Sequence, residues 1–432
     1  MKNFKKLSVL FLLVLSFSAV QAQKRHLDNY RDPDQRGINV FEAPKDTVST
    51  FDGVRVRIGG SSTLQFQAID HENGVPQNLI DDGTVLPLKE IGYNFNLATA
   101  NLDLDVALAK GVRMHLRTYL SSRHHPEPYV KGGYFQIDNL DFISEGTLGE
   151  LMKYTTIKVG HMENNYGDAH FRRTDNAQAM FNPFVGNLIM DSFTTEVGAE
   201  VYYQRNGFIG MVGFSNGKLN QSVTTGSNGK TGGASFLAKL GYDSQLSDDL
   251  RVRLTGSLYN TGYVPSNYLY TADRAGSRYY FVMENEEASA SSPFRSGRYD
   301  PGFRNSITAI MFNPFVKFGG LEFFGTAEFV SGRASSEVDD RKTTQFAGEL
   351  IYRFGSTENF YVGGRYNTVK GELADGTEPD INRTQLSAGW FMTKNILAKV
   401  EYVNQKYDGY DNTSILYDGQ FNGVVVEAVI SF

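Results

Sequence analysis

The sequence predicts an all-β fold: a transmembrane antiparallel β-barrel of 16 strands with one loop folded inward. Three observations carry this. An export signal opens the chain. Apolar and polar residues then alternate with period two, over stretches of nine residues or more, as far as the last residue. Short turns alternate with long polar connections, the asymmetry of a barrel threaded through a bilayer.

The export signal covers residues 1–22. Lys2, Lys5 and Lys6 form its basic start, Leu7 to Ala19 its apolar stretch, and Val20-Gln21-Ala22 its cleavage site. The apolar stretch is short for a spanning helix. No cysteine follows it, which excludes a lipoprotein. Residues 23–50 carry five basic and five acidic side chains without periodicity, and read as a flexible periplasmic segment. Residues 51–432 read as the barrel.

Composition agrees. The 432 residues include 44 Gly, 31 Phe and 24 Tyr but no Cys, with a formal net charge of -6. A disulfide scaffold and a cysteine-ligated metal centre are excluded. No apolar run after the signal is long enough for a helical bundle. The acidic balance gives no basic surface for nucleic acid.

Sixteen alternating segments fall near residues 54–69, 93–108, 111–122, 133–144, 154–162, 194–205, 207–214, 233–244, 249–261, 303–316, 320–330, 343–354, 359–370, 381–393, 396–407 and 420–432. The first and tenth alternate most weakly, which leaves 18 strands open. In the third, Val112, Met114, Leu116, Thr118 and Leu120 oppose Arg113, His115, Arg117 and Tyr119. In the ninth, Leu250, Val252, Leu254, Gly256 and Leu258 oppose Arg251, Arg253, Thr255, Ser257 and Tyr259. The eleventh places Glu322, Thr326 and Glu328 on one face, with Phe324 interrupting it. The fifteenth opposes Ile396, Ala398, Val400 and Tyr402 to Lys399 and Glu401, with Leu397 and Val403 on the polar side. The last segment has one apolar row, Val424, Val426, Ala428 and Ile430, ending in Phe432. That is the form of a C-terminal signal for the outer-membrane barrel assembly machinery.

Turns are expected at Lys110-Gly111, Asn206-Gly207, Ser247-Asp248-Asp249 and Thr393-Lys394-Asn395. Long connections are expected from His71, Ser215, Val264, Ser331, Gly371 and Asp408. Aromatics at strand ends read as membrane-interface girdles: Tyr202-Tyr203, Tyr268, Tyr270, Tyr279-Tyr280-Phe281, Phe323-Phe324, Phe360-Tyr361, Tyr407 and Tyr410.

One stretch breaks the β pattern, Gly160 to Met190. It holds His161, Asp168, His170, Arg172, Arg173 and Asp175. A helical turn is expected over Ala177 to Phe181, capped by Asp175 or Asn176 and ended by Pro183. A wide barrel leaves room for such a loop to fold inward and narrow the pore.

Around this loop the sequence resembles a family. The elements are I-K-V-G-H (Ile157 to His161), Tyr166-Gly167, the Arg172-Arg173 pair and E-V-G-A-E-V-Y-Y (Glu196 to Tyr203). They are similar to the phosphate-selective porin O and P superfamily, and more closely to the related porins of Bacteroidetes-type bacteria. The resemblance implies an outer-membrane channel of 16 or 18 strands, often trimeric, with an inward loop. The long lysine ladder that guides phosphate is missing, so phosphate selectivity is not carried over.

The candidate pore-lining and constriction residues are His170, Arg172, Arg173, Arg113, Arg117, Arg251 and Arg253. Two readings stand: a basic wall favouring anions, or arginines paired with luminal carboxylates such as Glu196, Glu200, Glu322 and Glu328. His161, Asp168 and His170 also admit a metal reading, without a second cluster to support it. His124-His125 reads as ordinary loop surface. No G-x-S-x-G element marks a hydrolase, and no cofactor is implied. The expected function is passive diffusion of small polar solutes or anions across the outer membrane of a Gram-negative bacterium. The expected partners are membrane lipids, the assembly machinery and further copies in a trimer. An adhesion barrel acting through its long loops, and a lipid-acting barrel enzyme, are the alternatives.

Overall fold

A computed structural model describes residues 27–122, 128–217, 229, 231–271, 277–289 and 295–432. The signal segment and His124-His125 lie outside these residues. Sixteen antiparallel strands close into a barrel. They are β1 (Arg55–Glu72), β2 (Asn94–Ala109), β3 (Val112–Leu120), β4 (Tyr129–Ile137), β5 (Thr155–Glu163), β6 (Thr195–Arg205), β7 (Phe208–Ser215) and β8 (Ser235–Gln245). Then come β9 (Leu250–Thr261), β10 (Ser306–Phe318), β11 (Leu321–Arg333), β12 (Arg341–Phe354), β13 (Phe360–Gly371), β14 (Asp380–Thr393), β15 (Ile396–Asp408) and β16 (Gln420–Ser431). Each strand pairs with its neighbours in sequence, and β1 pairs with β16 from Ser61↔Ser431 to Glu72↔Gln420. Closure leaves no open edge, the condition for strands to cross a bilayer.

All sixteen expected segments are strands. The fourth lies earlier than expected, because residues 138–154 form a long connection with a short helix, Gly149–Met152. The other connections at that end are short. Asn206 and Gly207 have φ of 51° and 83°, the pair of positive values that a two-residue hairpin turn needs. The chain enters β1 and leaves β16 at this same end, so it is the periplasmic one if the barrel spans the outer membrane.

The two faces of the wall differ as the alternation requires. On β16, Val424, Val426 and Ile430 are 41%, 43% and 44% exposed, while Val425, Glu427 and Val429 are wholly buried. The outward row is the one that meets lipid. Near the end with the short turns the outward face carries Tyr203, Phe208, Tyr242, Phe318, Phe323, Tyr352, Phe354, Phe360 and Trp390, a girdle of exposed rings. Only part of the expected girdle is here. Tyr202, Tyr270, Tyr279, Tyr280, Phe324, Tyr361 and Tyr407 are buried inside the barrel. They pack against segments that fold into the lumen, an apolar demand that an open barrel lacks.

Three segments occupy the lumen. The first is the β5–β6 loop: every residue from Asn164 to Thr194 is buried except Ala169, Phe171 and Gln178, which are half-buried. The second is the long β9–β10 connection, which bonds to the first through Phe193 N to Leu269 O (2.8 Å) and Tyr299 N to Ile189 O (2.9 Å). The third is residues 27–50. The sequence predicts a flexible segment here, but the structure packs it across the mouth at the short-turn end. Leu27, Asp34 and Phe41 are buried there. Burial of the Phe41 ring alone favours the packed state by about 1.5–3 kcal/mol.

Apolar residues on the inward face explain the imperfect alternation. Phe324 on β11 packs with Phe41 and Phe315. Leu397 on β15 joins Phe181 and Phe184 of the inward loop. Val403 joins a cluster with Tyr279 and Val282 of the β9–β10 connection. The interruptions mark where luminal segments dock.

Candidate functional site

The inward loop is held by wall side chains that satisfy its backbone. A loop buried away from water needs partners for its N–H and C=O groups. Glu401 on β15 accepts from the Val185 and Gly186 amides (2.8 and 3.2 Å). Lys399, one pair further along the same strand face, donates to the Ala179, Asn182 and Phe184 carbonyls (3.2, 3.3 and 2.9 Å). Asn367 and Gln345 accept from the Ile189 and Met190 amides (2.7 and 2.9 Å). Ala169–Arg172 forms a short 3-10 turn. The helical turn expected over Ala177 to Phe181 does not form. Asp175, Asn176 and Ala177 have φ of 128°, 50° and 60°, outside the helical region.

Each of the seven candidate residues faces a carboxylate. Arg113 bonds Gln136 (2.6 Å) and reaches Asp105 (3.4 Å). Arg117 forks onto Asp103 at 2.7 Å through both Nε and Nη2. Arg251 does the same to Asp243 (2.8 and 2.7 Å). Arg253 forks onto Asp168 (2.8 and 2.9 Å) and reaches Glu42 at 2.8 Å. Arg172 donates to Glu322 (2.7 Å), Glu349 (3.1 Å) and Asn39 (2.7 Å). Arg173 forks onto Asp191 (3.1 and 2.6 Å). His170 contacts Glu163 (3.1 Å) and Asn165 (2.9 Å).

So the paired reading describes these residues, with acids that, apart from Glu322, differ from the expected ones. Glu322 is a partner of Arg172. Glu196 and Glu328 instead bond hydroxyls: Tyr259 at 2.9 Å, and Tyr166 and Tyr270 at 3.1 and 2.7 Å. Glu200 accepts from the Asn165 amide (3.0 Å) and from Tyr202. The metal reading does not hold together. Asp168 is engaged by Arg253, Lys239 and Thr255, whereas His161 bonds Thr195 at 2.8 Å. Among the described residues no group of three or more His, Asp and Glu is poised for a metal ion.

Residues 27–50 were missed as part of the site. They form a lid stapled at its ends: the Asn29 amide donates to Asp46 (2.6 Å), and the Asp46 amide to Asn29 Oδ1 (2.7 Å). From this staple the lid touches successive sectors of the wall. Tyr30 bonds Asp105 (3.1 Å). The Gln35 amide donates to the Lys394 carbonyl (2.9 Å). Asn39 donates to Glu322 (2.7 Å), and Lys45 to Asp138 (3.0 Å). The signal that would have found it is local: Tyr30 and Phe41 are aromatics in an otherwise polar leader, and Phe324 is an apolar partner on an inward face.

Between lid, inward loop and the β3–β6 wall remains a cavity of about 180 Å³, with room for water or a small solute. Arg31 and Phe41 line it from the lid, Phe171 and Phe181 from the loop, and Lys158 and Tyr134 from the wall. Burial draws the Arg31 guanidinium down to about 9, with Glu163 opposing the fall, so Arg31 stays a cation at neutral pH.

No family model matches the chain, and no curated protein matches it. Solved structures share the fold. The anion-selective porin from Comamonas acidovorans superposes with a TM-score of 0.55 at 11% identity, over 88% of this chain and 100% of that one. The outer membrane channel DcaP of Acinetobacter baumannii gives 0.53 at 14%, over 89% and 99%. The trimer form of OmpT, an outer membrane protein of Vibrio cholerae, gives 0.50 at 10%, over 88% and 100%.

Proposed function

We propose that the chain is an outer-membrane porin through which small hydrophilic solutes diffuse passively, with a preference for anions. One observation carries this: a closed barrel with an apolar outward row also has a wall of charged side chains around a luminal cavity. An apolar belt and a polar interior are the two faces of a bilayer-spanning pore. His170, Arg172, Arg173, Arg113, Arg117, Arg251 and Arg253 shape the constriction, and their paired carboxylates leave them a weak share in ion preference. Export follows the N-terminal signal, and the apolar row ending at Phe432 serves assembly into the membrane. A trimer is the assembly we infer, as in the OmpT trimer form.

The filled lumen favours a second reading, a barrel that binds a ligand outside the cell through the β9–β10 connection. Conductance separates the two. Purified protein in a planar bilayer under a salt gradient is expected to show small discrete steps and a reversal potential on the anion side. Folded protein that never conducts would point to the binding barrel.

A further inference from the structure

Beside this cavity, the two cations that lack a carboxylate partner are not those the sequence singled out. Arg31 donates through Nε to the Gly37 carbonyl (3.0 Å) and through Nη2 to the Phe171 carbonyl (3.2 Å). Its Nη1 has no protein acceptor, and no carboxylate lies within ion-pair distance among the described residues. The guanidinium sits 3.7 Å from the Phe181 ring centroid and 5.9 Å from that of Phe171. Among the described residues Lys158 has neither a hydrogen bond nor an ion pair, only ring contacts. Its ammonium lies 4.8 Å from the Tyr202 ring centroid and 5.7 Å from that of Tyr134. Its cross-strand neighbour Glu200 is taken up by Tyr202 and the Asn165 amide.

The acids around the same cavity are all engaged. Asp103 is forked by Arg117, Glu42 by Arg253 and Lys239. Glu163 accepts from His170, Asn176 and Gln178. The remaining wall cations are also matched: Arg113 to Asp105 and Lys131 to Asp175. Two positive charges are thus left without a negative one. Both side chains are half-buried; a partly desolvated cation without a counter-charge is costly, and an anion entering the cavity offsets that cost.

We propose that Arg31 of the lid and Lys158 of the wall form a binding site, in the residual lumen, for a small organic carboxylate. The proposal deepens the porin reading and rests on it for the solute's route. Two features select the class. The spare donors include Arg31 Nη1, the Lys158 ammonium and the Tyr134 hydroxyl. They suffice to pair both oxygens of a carboxylate. Rings also stand beside both cations, Phe181 and Phe171 at Arg31 and Tyr202 and Tyr134 at Lys158, and offer apolar surface to a carbon body.

The test uses benzoate, with neutral benzamide as its control, on the full barrel in detergent and in a bilayer. Calorimetry is expected to show benzoate binding and no benzamide binding. Benzoate is also expected to reduce the chloride current reversibly. Arg31→Gln and Lys158→Gln, each checked for an intact barrel by heat-modifiable mobility, are expected to weaken both effects about tenfold or more, the loss of one charge-assisted bond. Lys158→Arg is expected to retain most of the binding. Equal binding by wild type and both Gln variants, or by benzamide, overturns the site. Inorganic phosphate binding as well as benzoate overturns the carboxylate class. Benzoate binding without any channel steps refutes the porin reading and keeps the site, whereas channel steps that benzoate leaves unchanged do the reverse.

Discussion

Deleting Asp28–Thr50 is expected to raise the single-channel conductance several-fold. The lid lies across the mouth of the barrel and bonds to wall sectors on opposite sides, at Asp105, Asp138, Glu322 and the Lys394 carbonyl. Its removal opens space that water and ions then fill. The wall is expected to survive, because the lid shares its acids rather than owning them. Glu322 keeps Arg172 and Arg353, and Asp168 keeps Arg253 and Lys239. The lipid-facing row and the ladder that closes β1 on β16 are untouched. A milder version removes the staple alone. Asn29→Ala with Asp46→Ala is expected to increase current fluctuations while leaving the mean conductance nearer that of wild type. An unchanged conductance after the full deletion would mean that the inward loop and the β9–β10 connection alone limit flow.

Replacing Arg172 with Ala is expected to cost about 3–5 kcal/mol of stability, since it strips one partner from a buried charge network. Arg172 is buried, and its guanidinium links Glu322 on β11, Glu349 on β12 and Asn39 of the lid. It also lies 4.9 Å from the Phe324 ring centroid. Arg353 and Arg365 remain on the two glutamates, but each then faces its acid without the bridging cation. The effect reads out as a lowered urea midpoint in lipid vesicles, followed by the fluorescence of Trp390. Arg333→Ala serves as the contrast. It pairs with Asp340 at 2.6 Å, both side chains being more than a third exposed, and an exposed pair contributes about 0–1 kcal/mol. Similar midpoints for the two variants would remove Arg172 from its role as a keystone between loop, lid and wall.

The order and faces of the strands were legible in the sequence because a strand has a fixed period. In β3 and β9 every second residue meets lipid and the others do not, so composition alone assigns the face. The inward loop was legible as a break in that period. Alternation misplaced only the fourth segment, β4, by a few residues, and the two weakest, β1 and β10, are paired along both edges in the barrel.

The pairing of the luminal charges was not legible. Arg253 meets Asp168 across a separation of 85 residues, and Arg172 meets Glu349 across 177. Such partners come together only when the barrel closes and the loop folds in, and nothing local to either residue records the other. The lid was hidden for the same reason. Its residues have no secondary structure of their own beyond one short turn at Gln35–Gly37, and Phe41 gains its value from Phe315 and Phe324, far along the chain. Period and turn chemistry are local properties, so the sequence by itself determined the barrel and its outward row, while the choice of 16 strands over 18 came with closure of β1 on β16. Which cations are neutralised, and which two beside the lid cavity are left without a carboxylate, depends on distances between segments, and only the tertiary structure decided that.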